Sequence, residues 1–283
     1  MRALAALTAL PDQRATSLPI GLARIGVGLA ALLGAVEAQA GLRRLHEPDL
    51  LKLPRFDFVS IVPEAAIGLL VGLWVLAGVA FCLGWRSRPA GTILVGLATY
   101  TLLLDFQLYS NHFYLLILLT LLLTLADSSA AVSIDARRRG RAASIPAWPV
   151  ALIRVLVSIV YGFAVLAKLN PYFLSGLVLR TNMQIPGIDR LPGWIFLLLA
   201  VASLATEAFL GVAFWSRRLR FLAFVVGVAF HLTILATMRV LPDLLTFSLL
   251  MASAYLAFFS TFEARSPNEP TSGIAASGQG SLD

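Results

Sequence analysis

The chain is long, apolar and poor in charge. Its 283 residues are 59% hydrophobic and 13% charged, and the mean hydropathy is +0.85. Soluble domains carry about a quarter charged residues, so this composition excludes a soluble globular enzyme and predicts an integral membrane protein. The net charge of +7 does not indicate nucleic-acid binding, because the cations fall in short loops between apolar segments, where they set membrane topology.

Cysteine and histidine are scarce. Cys82 is the only cysteine, and the histidines are His46, His112 and His231. A disulfide within the chain and a cysteine metal site are therefore excluded. The histidines follow no ligand spacing, so we expect no metal site.

Apolar segments recur along the whole chain. Lipid offers backbone polar groups no partner outside the segment, so each one is expected to be helical. We predict an all-α integral membrane protein, a bundle of about eight transmembrane helices. The predicted spans are Leu18–Leu42, Ile61–Leu83, Ala90–Leu108, Phe113–Ala126, Trp148–Leu169, Trp194–Trp215, Phe221–Met238 and Leu244–Phe262.

The spans divide the chain into three parts. Residues 1–17 are predicted to be a cytoplasmic N-terminal segment, and no convincing cleavage site follows them, so the first span is expected to act as an uncleaved signal-anchor. Residues 18–262 form the predicted transmembrane domain. Residues 263–283 are rich in Ser, Gly and Pro, which predicts a disordered C-terminal tail.

The loops on one side of the membrane hold most of the arginines. The second, fourth and sixth loops contain Arg86 and Arg88, the run Arg137–Arg141, and Arg217 to Arg220. The positive-inside rule places these loops and both termini in the cytoplasm. We therefore expect a multi-pass protein of the inner (plasma) membrane, in contact with membrane lipid.

The fifth span carries a lysine near its end. Lys168 is followed by Asn170 and Pro171, and proline cannot continue a helix without losing a backbone hydrogen bond. A cation at membrane depth is costly and often functional. The alternative is a helix-end anchor whose ammonium reaches the membrane interface.

Polar residues of the fifth span share one helix face. Arg154, Ser158, Tyr161 and Lys168 recur at intervals of three to seven residues, so this seam should face other helices. By predicted depth, the polar residues form two clusters. The cytoplasmic cluster is expected to be a structural ion-pair network, and the external one is suited to proton transfer. The cytoplasmic members are Arg24, Asp127, Arg154 and Glu207, and the external members are Glu37, Asp105, Asn111, His112, Lys168, Asn170 and His231.

Several segments resemble a known family. They are DFQLYSNHFY (Asp105–Tyr114), LADSSAAVSID (Leu125–Asp135), the stretch Pro146–Gly176, and FHLTI beginning at Phe230. Together they are similar to the vitamin K-dependent gamma-carboxylase family, whose bacterial branch is known as HTTM (horizontally transferred transmembrane) proteins. The resemblance runs from about Leu18 to Phe262.

The resemblance implies a reaction and its residues. The family's carboxylase uses a membrane lysine as the base toward reduced vitamin K, and that lysine matches Lys168. It implies catalytic roles for Lys168, His112 and His231. It also implies reduced vitamin K or another quinol as cofactor, for which Asn111, Tyr161 and Asp105 are the candidate binding residues.

The chain also departs from the family pattern. Asn170 replaces an aspartate and Ala167 replaces the first of two lysines, and the sequence ends soon after the last span, without the large lumenal portion of the animal enzymes. A quinol-dependent carboxylase or oxygenase activity would then need a partner protein. The alternative is a non-enzymatic membrane component of a system that matures a secreted peptide toxin, exports it, or confers immunity to it.

Overall fold

The fold is a helical bundle closed at one end by a small sheet. The computed structural model describes residues 12–238 and 242–264. The helices are α1 (Leu18–Arg44), α2 (Glu64–Leu83), α3 (Ser87–Leu104), α4 (Asn111–Leu125), α5 (Ile134–Arg139), α6 (Ala147–Lys168), α7 (Pro171–Leu174), α8 (Leu177–Asn182), α9 (Gly193–Ala213), α10 (Arg220–Thr237) and α11 (Pro242–Tyr255). Short 3₁₀ turns include Ser128–Ala130 and Leu256–Phe259, and the second of these continues α11.

Six of the described helices have the length and composition to cross a membrane. They are α1, α2, α6, α9, α10 and α11 with its continuation to Phe259. This confirms the predicted all-α membrane fold. The third and fourth predicted spans form α3, which opens on Ser87 and Arg88, and α4, which has 15 residues. Neither meets the criterion for a span, so the count of eight is not confirmed.

A three-stranded antiparallel sheet was not predicted. Strand β1 (Gln13–Thr16) lies between β2 (Ser144–Pro146) and β3 (Phe262–Ala264). Strands of three or four residues are too short to show an alternating pattern in the sequence. Part of the predicted N-terminal segment is therefore a strand, and so is the start of the predicted tail. Residues 1–11 of that segment, and the tail from residue 265, lie outside the described residues.

Helix α1 lies at the centre of the bundle because its small residues allow close approach. A Cβ added to Gly28 would lie 2.6 Å from the Cβ of Cys82 on α2. Ala23, Ala31 and Ala35 are buried on the same helix. Small residues allow this packing where lipid provides no hydrophobic driving force between helices.

Arg24 of α1 is fully buried and binds backbone oxygens. Its Nη1 donates to the Ser128 carbonyl (3.0 Å), and its Nη2 donates to the carbonyls of Val132 (2.7 Å) and Cys82 (3.2 Å). Cys82 lies in the last turn of α2, where helix carbonyls lack a partner within the helix and carry partial negative charge. Arg24 therefore ties the end of α2 to the loop between α4 and α5.

The predicted cytoplasmic ion-pair network is wrong. Arg154 donates its Nε to the Ala257 carbonyl at 3.0 Å and its Nη2 to the Ser260 carbonyl. Asp127 instead lies 4.0 Å from Arg88, which is exposed. The arginines are satisfied by unpaired carbonyls at helix and turn ends, so the buried cations need no carboxylate there.

Candidate functional site at Lys168

The end of α6 positions Lys168. Asn170 accepts a hydrogen bond from the Phe173 amide (2.8 Å) and donates to the Ala167 carbonyl (2.7 Å), which fixes the turn before Pro171. Side chains of a helix lean toward its N-terminus, so the lysine of the last turn points back into the bundle. The predicted end of the helix at this lysine is confirmed.

The ammonium of Lys168 lies against α9. Its Nζ is 2.7 Å from Glu207 Oε1 and 3.3 Å from the Ser203 hydroxyl, one turn away on the same helix. The rings of Phe173 and Phe230 lie 5.2 and 5.9 Å from Nζ. The lysine side chain is 24% exposed and the glutamate side chain 7%. The cation thus has one buried counter-ion and an otherwise largely aromatic environment.

Glu207 has capacity left for another hydrogen bond. Its Oε2 is buried and has no hydrogen-bond partner among the described residues. Glu207 was expected in the cytoplasmic cluster and Lys168 in the external one. Their ion pair corrects the expectation for Glu207. The Lys168 side chain is long enough to reach about one helical turn back from the end of α6. It therefore contacts Glu207, although the positions of the two residues along their spans predicted different membrane depths.

A buried polar group adjoins this ion pair. The hydroxyls of Tyr161 and Tyr255 are hydrogen-bonded to each other. His231 Nε2 lies 3.0 Å from the Tyr255 hydroxyl and 3.4 Å from that of Tyr161. Phe230 links the two groups, because its ring centroid lies 5.9 Å from Lys168 Nζ and 5.7 Å from the ring centroid of His231. The structure therefore places Tyr161 and His231 in one hydrogen-bonded group that adjoins the Lys168–Glu207 pair.

Sequence reasoning missed three members of this site. Ser203, Glu207 and Tyr255 contact predicted site residues, but none was proposed as a site residue. The seam on α6 could have suggested them, because its polar side chains require partners on the facing helices. The seam does face other helices, and Ser158 donates to the Gly211 carbonyl of α9 at 2.9 Å.

His112 belongs to a different cluster. Its Nε2 is 2.6 Å from Glu37 Oε2, and the Thr246 hydroxyl donates to Glu37 Oε1, also at 2.6 Å. This cluster joins α1, α4 and α11. No hydrogen bond or ion pair within residues 12–238 and 242–264 connects it to Lys168. The neighbour of Thr246 on α11, Phe247, instead contacts His231, with ring centroids 5.8 Å apart.

The remaining predicted site residues lie near the His112 end of α4. Asp105 accepts the backbone amides of Leu53 (2.7 Å) and Gln107 (2.8 Å), so both carboxylate oxygens order the loops there. Asn111 accepts a hydrogen bond from the Tyr109 hydroxyl at 3.3 Å. The structure does not bring Asp105 or Asn111 into contact with Lys168.

Two apolar clefts adjoin this region. A cleft of about 190 Å³ lies among α8, α9 and α10, and Ser203 and Phe230, which both contact Lys168, line it. A larger groove of about 700 Å³ runs between α4 and α6 and is lined by Asn111, Phe163 and Phe247. The Lys168 ammonium is therefore adjacent to the smaller cleft. In the described part of the chain, no group of His, Cys, Asp or Glu could hold a metal ion.

These features define a polytopic helical membrane protein with a polar cluster inside the bundle. The HTTM domain model matches residues 13–261, which is most of the chain. The chain therefore belongs to the HTTM domain family, and the resemblance found in its motifs is confirmed at that level. No solved structure matches it significantly.

Proposed function

We propose that this protein is a membrane enzyme in which Lys168 acts as a base toward a lipid-soluble quinol. The observation that carries the proposal is the Lys168–Glu207 pair, 2.7 Å apart within the bundle, with its ammonium beside an apolar cleft. A lysine that served only as an interfacial anchor would reach toward water and need no buried carboxylate.

The pair supports base chemistry because its net charge does not depend on where the proton lies. With the proton on Lys168 Nζ the pair is ammonium and carboxylate, and with the proton on Glu207 it is amine and carboxylic acid. An apolar environment disfavours separated charges, which favours the neutral form more than water does. In that form Nζ is a neutral amine, which is the protonation state that a base requires.

The residues at the cleft fit a reduced quinone. Phe230 offers an aromatic face, the Ser203 hydroxyl offers a polar contact, and the rest of the lining is mainly apolar. When bound, a quinol would supply an acidic hydroxyl and reducing equivalents. Lys168 Nζ accepts a proton, Glu207 orients that amine, and the phenylalanine rings exclude water. His231, Tyr161 and Tyr255 form a hydrogen-bonded group whose members can each hold a proton.

Other parts of the proposal rest on the family resemblance and on charge. The resemblance alone supports catalysis by His112 and cofactor binding by Asn111 and Asp105. It also supports a peptide or a partner protein as the second substrate or binding partner. The arginine distribution supports a plasma-membrane location with both termini in the cytoplasm.

The test compares the two lysines of the chain, Lys52 and Lys168. Purified protein in lipid nanodiscs would be supplied with a reduced naphthoquinone and oxygen, and formation of the epoxide or oxidised quinone would be followed. We expect Lys168→Ala and Lys168→Arg to lose turnover, since arginine keeps the charge but gives up a proton far less readily. Lys52→Ala is the matched control, because Lys52 is exposed in a loop, and it should retain turnover.

Two results would contradict the proposal. Wild-type turnover in Lys168→Arg would show that no neutral amine is needed. Absence of wild-type turnover, combined with loss of folded protein in Lys168→Ala, would favour a structural ion pair. That outcome would support the non-enzymatic role in peptide maturation, export or immunity.

A further inference from the structure

A third pocket opens where α1 begins and α2 ends, and Lys168 is not part of its lining. Its volume is about 400 Å³. The lining combines the apolar side chains of Ile25, Leu83 and Ile134 with the guanidinium groups of Arg137 and Arg141. A pocket with this lining suits a ligand that is anionic at one end and apolar at the other.

The two arginines carry charge that the protein does not neutralise. Arg137 and Arg141 are exposed, and their side chains form no ion pair or hydrogen bond with residues 12–238 or 242–264. Their neighbour Arg139 differs, because it contacts Asp135 at 3.0 Å. Two unpaired guanidinium groups lining one pocket form a site for phosphate oxygens, which guanidinium binds in bidentate geometry.

The loop that forms one wall is held in a strained conformation. Val132 has φ of 48°, which is costly for a β-branched residue, and it lines the pocket. The buried Arg24 holds its carbonyl at 2.7 Å. Ser133 donates to the Ser129 carbonyl (2.5 Å) and accepts the Ala136 amide (2.7 Å). These contacts keep the wall in place without a ligand.

The pocket lies at the level of the membrane surface. Leu83 is the last residue of α2, a helix able to span the membrane, and is 51% exposed. Trp85 follows and is 43% exposed, a position typical of the aromatic belt at the interface. A ligand in the pocket would therefore lie among lipid headgroups, and its apolar end would face the acyl chains.

We infer that this pocket binds the phosphate group of an anionic membrane phospholipid. Arg137 and Arg141 contact the phosphate oxygens, while Ile25, Leu83 and Ile134 pack against the first carbons of the acyl chains. Anionic lipids are attracted to basic segments at the membrane surface, and the shaped pocket adds a defined binding position. The inference is independent of the function proposed for Lys168.

The experiment uses the whole protein in detergent micelles. Binding of phosphatidylglycerol, phosphatidylcholine and inorganic phosphate would be measured separately by native mass spectrometry and by the shift in unfolding temperature. The pocket variant is Arg137→Gln with Arg141→Gln. The control is Arg138→Gln with Arg218→Gln, which removes the same charge from exposed arginines outside the pocket lining.

We expect phosphatidylglycerol to bind the wild type and the control with similar affinity, and the pocket variant about tenfold more weakly, or roughly 1.4 kcal/mol. Equal weakening in both variants would show attraction by general charge and overturn the site. Binding of phosphatidylcholine as tight as that of phosphatidylglycerol would show that the pocket does not select an anionic lipid, and would overturn the inference. Inorganic phosphate binding as tightly as the lipid would identify a free anion as the ligand and overturn the lipid assignment.

Discussion

Arg24 and Lys168 are both cations inside the helical bundle, and the protein accommodates them differently. Arg24 is 0% exposed and donates to three backbone carbonyls. The Lys168 side chain is 24% exposed and pairs with one carboxylate, that of Glu207. The first site has only oxygens that cannot be ionised. The second has an acidic group with one oxygen unpartnered among the described residues.

This difference determines which of the two sites contains an acceptor that can take up a proton. A backbone carbonyl accepts a hydrogen bond but does not take up a proton at ordinary pH, whereas a carboxylate does both. The Arg24 site can therefore only hold the end of α2 against the loop between α4 and α5. The Lys168 site joins α6 to α9 and contains a carboxylate, which can take up a proton, as the proposed base function requires.

The largest effect should come from Arg24→Met. The change leaves three carbonyl oxygens, one in a buried and two in part-buried hydrogen bonds, without their donor, and each unsatisfied buried group costs about 1–3 kcal/mol. We expect a loss of about 3–5 kcal/mol in the free energy of unfolding, seen as a lower unfolding temperature and a smaller folded fraction in size-exclusion chromatography. Arg138→Met, at an exposed position, is the control. Equal stability of the Arg24→Met and Arg138→Met variants would contradict a structural role for Arg24.

Glu207→Gln should have the next largest effect. It leaves the Lys168 ammonium without a counter-ion, and we expect a loss of about 2–3 kcal/mol because the lysine is partly exposed. Adding Lys168→Met should restore much of that stability while leaving turnover absent. Thermal unfolding and quinol turnover would be measured on the same preparations. A double variant no more stable than the single one would show that the two residues do not interact.

Ser203→Ala should have the smallest effect on stability. Its hydroxyl accepts a hydrogen bond from Lys168 at 3.3 Å, and removing it should cost about 0.5–1 kcal/mol. The same hydroxyl lines the cleft, so the KM for a quinol should rise while the unfolding temperature changes little. Thr206→Ser, also at the cleft but with its hydroxyl bonded within α9 to Ala202, is the control. A change confined to unfolding temperature would contradict a role in the cleft.

Sequence patterns predicted features that depend on neighbours along the chain. Hydrophobic segments located the helices, Pro171 located the end of α6, and helical spacing located the polar seam of Tyr161 and Lys168. The prediction that Glu207 belongs to the cytoplasmic cluster was wrong. It counted residues along each span to estimate the depth of the backbone, and it ignored the length of the Lys168 side chain. The carbonyl partners of Arg24 could not be predicted from the sequence either. Every residue has a backbone carbonyl, and only the fold determines which of them accept hydrogen bonds from the buried guanidinium.

The small sheet limits how many times the chain can cross the membrane. Strands β1, β2 and β3 are hydrogen-bonded neighbours, so all three lie on one side. The chain between any two of them must therefore make an even number of crossings. Helices α6, α9, α10 and α11 satisfy that parity between β2 and β3, and α1 with α2 satisfy it between β1 and β2. Helices α3 and α4 must then cross as a pair or not at all, so the chain between β1 and β3 crosses the membrane six or eight times.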